Sequence, residues 1–181
     1  ETALYVAAEE QGIWKENLQA TMPRVAEVPF DSERKCMTTI HQSSDGHFIS
    51  FTKGALDTIL ERADRVLSSA GVVALDKALL MKINDDLAGK GLRVLCMAIR
   101  EWGECMPAAI SSESVETDLT VIGLVGLMDP PRQEAKEAVA LCRTAGIKPV
   151  MITGDHPMTA LAIAKRIGIV EKGESDAIVT G

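Results

Sequence analysis

Hydrophobic and polar positions along the first two thirds of the chain follow two periods, one near 3.6 residues and one of two residues. The longer period predicts α-helices, and the shorter one predicts β-strands whose alternate side chains face a core. Helices are expected over residues 3–11, 56–63 and 76–90, and strands over 25–30, 36–41, 47–52 and 93–101. This part of the chain is therefore predicted to form an antiparallel sheet flanked by helices.

The pattern changes after the polar stretch 111–117. Continuous apolar runs at 121–129 and 148–153 alternate with amphipathic helical patterns at 133–145 and 158–168, and residues 177–180 begin a further apolar run. Strands that are apolar throughout are typical of parallel sheets covered on both faces. The sequence thus predicts an α+β domain over residues 1–120, joined to part of an α/β domain over residues 121–181.

Composition and charge limit the classes of partner. The chain has 181 residues and a formal net charge of −7, which disfavours nucleic acid, since proteins that bind it usually present a basic surface. No apolar run approaches the ~20 residues that span a bilayer, so we expect a segment that is not inserted in a membrane. Four cysteines without a Cys-x-x-Cys pair predict reduced thiols and no metal site.

The clearest chemistry lies in Thr153-Gly154-Asp155, between the predicted strand 148–153 and a helix that starts at Pro157. A hydroxyl, an unhindered backbone amide and a carboxylate then stand where a strand ends and beside a helix N-terminus. Open α/β sheets bind ligands at such edges, and helix N-termini favour phosphate. The residues alone leave open a second interpretation, a capping turn in which Asp155 accepts hydrogen bonds from backbone amides.

Together with the His-Pro-x-Thr-Ala-x-Ala-Ile-Ala that follows, this segment resembles the Thr-Gly-Asp segment of P-type ATPases, which contacts the transferred phosphoryl group. Asp129-Pro130-Pro131-Arg132 is similar to that family's hinge between its nucleotide-binding and phosphorylation domains. Four more segments match in family order, so that the resemblance covers essentially the whole chain. They are Glu-Thr-Ala-Leu from Glu1, Pro-Phe-Asp-Ser-Glu-Arg-Lys from Pro29, Lys-Gly-Ala from Lys53 and Gly-Leu-Arg-Val-Leu from Gly91.

The resemblance implies an adenine pocket in the first domain. In it, Glu1 faces the base, the Phe30 ring stacks on the base, Lys35 lines the wall, and Lys53 with Gly54 forms the floor. Aromatic stacking on a base contributes on the order of 1–3 kcal/mol. The residues alone leave open that Phe30 is a core ring at a strand end and that the two lysines are solvated surface residues.

The resemblance also assigns the residues around the phosphates. Arg93 reaches the nucleotide phosphates, Asp129 and Arg132 of the hinge are expected among the nucleotide-binding residues, and Thr153, Gly154 and Asp155 contact the phosphoryl group. Arg34 and Lys35, together with Lys53, supply positive charge that can neutralise a triphosphate, which the acidic chain as a whole would repel. The residues alone leave open that Arg93 is an ordinary strand-edge arginine.

For the fold, the resemblance implies an α+β nucleotide-binding domain joined to a partial α/β dehalogenase-like (Rossmann-like) phosphorylation domain. For the function, it implies the cytoplasmic headpiece of an integral membrane pump of the type II subgroup, with ATP and Mg²⁺ as cofactors. Such a pump couples ATP hydrolysis, through an aspartyl phosphate, to cation transport, and calcium is our first expectation for the cation. The partners of this segment are ATP and the pump's membrane and actuator domains.

Two family segments are missing from this chain. It contains neither Asp-Lys-Thr-Gly, whose Asp is phosphorylated, nor Gly-Asp-Gly-x-Asn-Asp, which holds magnesium. The Lys-Gly-Ala motif also continues with Leu56-Asp57 where the family usually has Pro-Glu. We therefore expect a part of a longer protein that binds nucleotide without completing the reaction. Two alternatives are a free-standing dehalogenase-like phosphatase or phosphotransferase and a non-catalytic interaction domain.

Overall fold

The computed structural model of the chain describes residues 2–128, 131–154 and 157–170. Seven helices and seven strands lie in these ranges. In chain order they are α1 (Thr2–Glu10), α2 (Lys15–Thr21), β1 (Arg24–Asp31), β2 (Cys36–Gln42), β3 (Phe48–Gly54), α3 (Leu56–Leu60), β4 (Ala63–Ser68), β5 (Gly71–Ala74), α4 (Lys77–Gly89), β6 (Arg93–Gly103), α5 (Ser112–Val115), β7 (Leu119–Leu127), α6 (Gln133–Thr144) and α7 (Pro157–Ile167).

The seven strands form one sheet in the order β1-β2-β3-β6-β7-β4-β5. Strands β1, β2, β3 and β6 pair antiparallel, as predicted, but β4 pairs with β7 in parallel. The expectation of a purely antiparallel sheet is therefore wrong, and the sheet is mixed. The apolar run that forms β7 does make a parallel pair, but its partner is β4, whose first residue the helical pattern had assigned to the end of a helix.

The chain divides into two compact units. The first comprises Glu1–Lys77 with Leu95–Val125, and the second comprises Ala78–Val94 with Gly126–Gly181. The division near residue 125 lies close to the predicted change of hydrophobic pattern after residues 111–117. However, the segment from Ala78 to Val94 belongs to the second unit, although the sequence pattern had grouped it with the first domain. The domain bounds predicted from the sequence, residues 1–120 and 121–181, stay a prediction.

Alternation along the strands of the first unit separates a buried face from an open one. On β2 the even-numbered Thr38 and Ile40 are inaccessible to solvent, and on β6 Cys96 and Ala98 occupy the same face. The strand register places Ser50 and Thr52 of β3 between these two strands. The odd-numbered residues of the same strands therefore point to the opposite face of the sheet.

The second unit packs two of its helices together. Helices α6 and α7 contact each other, with Val139 and Ala164 buried. The buried Thr159 hydroxyl on α7 donates a 3.2 Å hydrogen bond to the backbone carbonyl of Leu92. A Cβ added at Gly91 would meet Ala162 at 3.4 Å. The start of α7 is therefore held against the segment that leads into β6.

The predicted strand over residues 148–153 does not form, which corrects the expectation for this part of the chain. Residues 147–153 are irregular, and Val150 and Ile152 expose 76% and 95% of their surface. Pro149 cannot donate a hydrogen bond to a strand ladder, and none of the seven described strands pairs with this segment. The further strand expected over 177–180 lies outside the described residues.

Within the described residues, no group of three or more His, Cys, Asp or Glu side chains is arranged to hold a metal ion. None of the described helices has both the length and the apolar character needed to cross a membrane. All four cysteines are free thiols, and burial raises the pKa of the Cys96 thiol to about 12.

A buried ion network, which the sequence patterns did not predict, ties the core of the first unit together. The Glu116 carboxylate is 1% exposed and accepts hydrogen bonds from Arg34, from Arg62 Nη1 at 2.7 Å and from the Thr38 hydroxyl at 3.1 Å. Burial raises the pKa of the Cys36 thiol, and the neighbouring Glu116 charge raises it further. One buried carboxylate is thus paired with two guanidinium groups, which together carry one positive charge more than the carboxylate balances.

Removing that carboxylate should destabilise the first unit strongly. Glu116→Gln would leave two partly buried guanidinium groups without their counter-charge, and we expect a loss of about 3 kcal/mol in the free energy of unfolding. Urea unfolding followed by tryptophan fluorescence measures it, because Trp102 packs against the buried hydrophobic cluster of Val28, Ile40 and Val115 in the same unit. The control is Glu104→Gln, whose side chain is 85% exposed and which should change stability by less than about 0.5 kcal/mol. Equal effects of the two substitutions would contradict the network's role.

Gly54, at the end of β3, lies too close to β2 for any side chain. A Cβ added there would stand 2.6 Å from the Lys35 carbonyl oxygen and 2.8 Å from Cys36 Cα, and nearer still to Cys36 Cβ. These atoms belong to the backbone or sit next to it, so they cannot move aside cheaply.

Gly54→Ala should therefore lower the free energy of unfolding by about 1–3 kcal/mol, as overpacking does elsewhere. Thermal and urea unfolding of the variant measure the loss. Gly89→Ala is the matched control, because a Cβ there meets nothing within 4 Å and alanine favours the helix, so its stability should be unchanged or slightly higher. A Gly54→Ala variant as stable as wild type would mean that β2 and β3 separate there without cost.

Candidate functional site

Two segments that the sequence analysis assigned to one site meet at the ends of β2 and β3. The Ala55 amide donates a 3.0 Å hydrogen bond to the Lys35 carbonyl, and the strand register pairs Cys36 with Gly54. The loop 31–35 and the Lys-Gly-Ala motif are therefore neighbours in space, as they must be if they share a ligand. The close approach at Gly54 is what allows this junction.

A cavity of about 470 Å³ opens on the face of the sheet opposite the buried one. Its centre is a row of three side chains at aligned positions of adjacent strands: Met37 on β2, Lys53 on β3 and Met97 on β6. The next row contributes Phe51, whose ring lies edge-on to His41 at 5.4 Å. The complete lining is Arg24, Met37, Thr39, Phe51, Thr52, Lys53, Met97, Ala98 and Ile122.

The cavity combines apolar walls with positive charge. Two methionines, a phenylalanine and an isoleucine offer polarisable, apolar surface. Lys53 and Arg24 supply the charges, and no Asp or Glu is among the described residues that line the cavity. Arg24 is also paired with Glu27 at 2.6 Å. The chemistry suits a flat apolar group that carries an anionic tail.

Phe30 lies on β1 and is 63% exposed, so the alternative of a core ring is wrong. The register between β1 and β2 shifts between Val28 and Asp31, which places an irregularity in the strand at this ring. Phe30 is not among the residues that line the cavity. Its role in stacking on a base stays a prediction.

The loop after Phe30 is held by its own acidic residue. Asp31 Oδ1 accepts hydrogen bonds from the amides of Glu33 at 2.9 Å and Arg34 at 3.0 Å, and these bonds hold the pKa of the Asp31 carboxyl below its ordinary value. The Lys35 amide donates to the Asp31 carbonyl at 2.7 Å, and Lys35 adopts a positive φ of 52°. The loop is therefore a closed turn.

The two basic residues of the loop point to different surroundings. The exposed Lys35 ammonium lies 3.7 Å from Asp57, the residue that replaces the family's usual Glu. The Arg34 guanidinium instead turns inward to Glu116, and its side chain is only 18% exposed. Burial lowers the pKa of Arg34, but the hydrogen bond to Glu116 and the negative charges around the guanidinium, Glu116 first among them, together raise that pKa above its ordinary value. The Arg34 guanidinium is thus bound to a buried carboxylate, and its contribution of charge to a phosphate tail stays a prediction.

The predicted phosphate-side residues that the structure describes belong to the second unit. Arg93 is exposed at the first residue of β6, next to Leu92, whose carbonyl binds α7. Arg132 is the exposed N-cap of α6, and Thr153 and Gly154 are exposed just before α7. Three further predicted site residues, Glu1, Asp129 and Asp155, lie outside the described residues. The roles assigned to all seven stay predictions.

Three residues of the cavity wall, Met37, Phe51 and Met97, belong to none of the matched motifs and were not predicted. Strand alternation nevertheless points to them, because each lies either two residues from a predicted site residue on the same strand or opposite one on a neighbouring strand. Met37 and Met97 flank Lys53 in the register, and Phe51 precedes Lys53 by two positions on the same face.

Comparison with known proteins agrees with the motifs. The sequence profile of the family described as "P-type ATPase, cytoplasmic domain N" matches residues 1–134. The chain is 39% identical over 174 residues to calcium-transporting ATPase 1 of Bacillus cereus, which covers 94% of this chain and 19% of that protein. It is 41% identical over 177 residues to the calcium-transporting ATPase of Bacillus subtilis, covering 95% of this chain and 19% of that protein.

A relative with a different named cation is equally similar. The sodium/potassium exporting P-type ATPase cta3 of Schizosaccharomyces pombe is 40% identical over 182 residues, covering 97% of this chain and 17% of that protein. The chain thus spans about a fifth of the length of the curated relatives it matches. Since the family profile extends over most of the chain, the prediction from the six motifs is confirmed: the chain belongs to the family of P-type ATPase cytoplasmic N domains.

Proposed function

We propose that this chain is the ATP-binding part of the cytoplasmic headpiece of a P-type cation-transporting ATPase. The observation that carries the proposal is the cavity built around Lys53, with thioether and aromatic walls and no carboxylate in its lining. A purine can occupy the apolar part while the cations offset the charge of the phosphates. These cations are needed at the site because a chain with a net charge of −7 would otherwise repel the phosphates.

In this proposal each matched residue acts at a defined part of the nucleotide. Phe30 stacks on the base from the exposed loop end of β1. Lys35 and Lys53 lie beside the base and the phosphate tail. Gly54 allows the close approach between β2 and β3 that brings the segments of these two lysines together. Glu1 faces the adenine. Arg93, Asp129 and Arg132 act toward the phosphates, and Mg²⁺ accompanies the ATP with most of its ligands outside this chain.

Residues 121–181 would then be part of a dehalogenase-like phosphorylation domain. Thr153, Gly154 and Asp155 would contact the transferred phosphoryl group just before α7. The nucleophilic aspartate would come from elsewhere in the protein, because this chain has no Asp-Lys-Thr-Gly segment.

For the whole protein, we propose a pump that hydrolyses ATP through an aspartyl phosphate and moves a cation across the membrane to which this headpiece is attached. Its partners are the pump's own membrane and actuator domains, and its location is the cytoplasmic side. The names of the relatives include calcium and sodium/potassium, and we place calcium first. A free-standing phosphatase is disfavoured, since the relatives are named as transporting ATPases.

Titration of the 181-residue chain with Mg-ATP tests the proposal. We expect a dissociation constant of roughly 0.1–5 mM, and Phe30→Ala and Lys53→Met should each weaken binding about tenfold, or ~1.4 kcal/mol. Lys82→Met, on the exposed surface of α4, is the control for loss of one positive charge and should leave the affinity unchanged. Calorimetry or nucleotide-analogue fluorescence measures all four proteins. Undiminished affinity in both site variants would remove the ligand from this face of the sheet.

A further inference from the structure

Arg34 connects the interior of the first unit to the backbone of the loop that carries two predicted site residues. One end of its guanidinium is bound to the buried Glu116 carboxylate. Its Nη2 donates a 2.6 Å hydrogen bond to the Pro29 carbonyl. Pro29 directly precedes Phe30, and Arg34 directly precedes Lys35. A single side chain therefore joins both ends of the loop and fixes them to the core.

Glu116 itself is held from a second side. Arg62 donates to its Oε2 at 2.7 Å, and Thr38 on β2 donates to its Oε1 at 3.1 Å. The carboxylate is thus fixed independently of the loop. Arg62 follows α3, and its side chain bonds to Glu116 and Cys36 but, among the described residues, to none of 29–35, so it stabilises the anchor without touching the loop.

We propose that Glu116 and Arg34 are positioning residues for nucleotide binding, because they fix the loop 29–35 from beneath so that Phe30 and Lys35 are presented in one arrangement. The inference rests on the proposed function for its ligand. It goes beyond that proposal because neither Glu116 nor Arg34 needs to touch the nucleotide. Ordering the loop before binding removes an entropic cost that a free loop would meet at the moment of binding.

The two arginines allow a matched test. Arg34→Lys keeps one positive charge beside Glu116, but an ammonium lacks the planar fork that bridges a carboxylate and a carbonyl. Arg62→Lys makes the same chemical change on the other side of the same carboxylate. We expect similar losses of melting temperature for the two variants, whereas Mg-ATP binding should weaken at least fivefold in Arg34→Lys and less than twofold in Arg62→Lys. Equal weakening in both, or in neither, would overturn the positioning role.

Amide hydrogen exchange in the nucleotide-free chain tests the anchoring separately. The amides of Glu33, Arg34 and Lys35 should exchange at least tenfold more slowly than the Gly46 amide, which closes the β2–β3 turn without an anchor to the interior. Arg34→Lys should accelerate exchange at those three positions, and Arg62→Lys should not. Rapid exchange of these three amides in the wild-type chain would overturn the inference. This result does not depend on whether the Arg34→Lys variant folds.

The outcomes separate this inference from the proposed function. If wild-type chain binds no Mg-ATP while the loop amides are protected and respond to Arg34→Lys, the ligand assignment fails and the anchored loop remains. If wild type binds Mg-ATP and the two arginine variants behave alike, the proposed function stands and the positioning role fails.

Discussion

Glu116 places a negative charge inside the first unit, where an unpaired carboxylate would cost several kcal/mol. Arg34 and Arg62 offset that cost from opposite directions, one from the loop after β1 and the other from the end of α3. A buried pair of this kind adds little net stability compared with an apolar core, but it penalises every arrangement in which one partner is missing. The network therefore selects one placement of the loop over others that the same apolar residues would permit.

Strand alternation separates this structural role from the proposed binding role, because the two lie on opposite faces of the sheet. Even-numbered residues of β2 face the interior and include Thr38, which bonds to Glu116. Odd-numbered residues face the cavity, where Met37 stands beside Lys53. Consecutive residues thus serve different purposes, and Gly54 lets the two strands meet closely enough to bring the loop and the Lys-Gly-Ala motif together.

The local patterns predicted much of this arrangement. Period-two alternation located β1, β2, β3 and β6, and the motif order identified the family before any geometry was considered. The patterns failed where a contact distant in sequence decides the outcome. Strand β4 pairs in parallel with β7, far later in the chain, as well as antiparallel with its neighbour β5, and residues 148–153 stay irregular where no described strand pairs with them. The inward turn of Arg34 depends on a carboxylate 82 residues away, which no local pattern contains.

We propose that one face of the sheet, bordered by the anchored loop 29–35, binds the nucleotide. Nuclear magnetic resonance of the ¹⁵N-labelled chain during addition of Mg-ATP tests it most directly, since each backbone amide reports its own surroundings. Binding at this face should produce saturable shifts that are largest at Phe30, Lys35, Met37 and Lys53, with little change at Ser68 and Gly71 in the β4–β5 turn. Shifts confined to residues outside that face, or none at millimolar nucleotide, would contradict it.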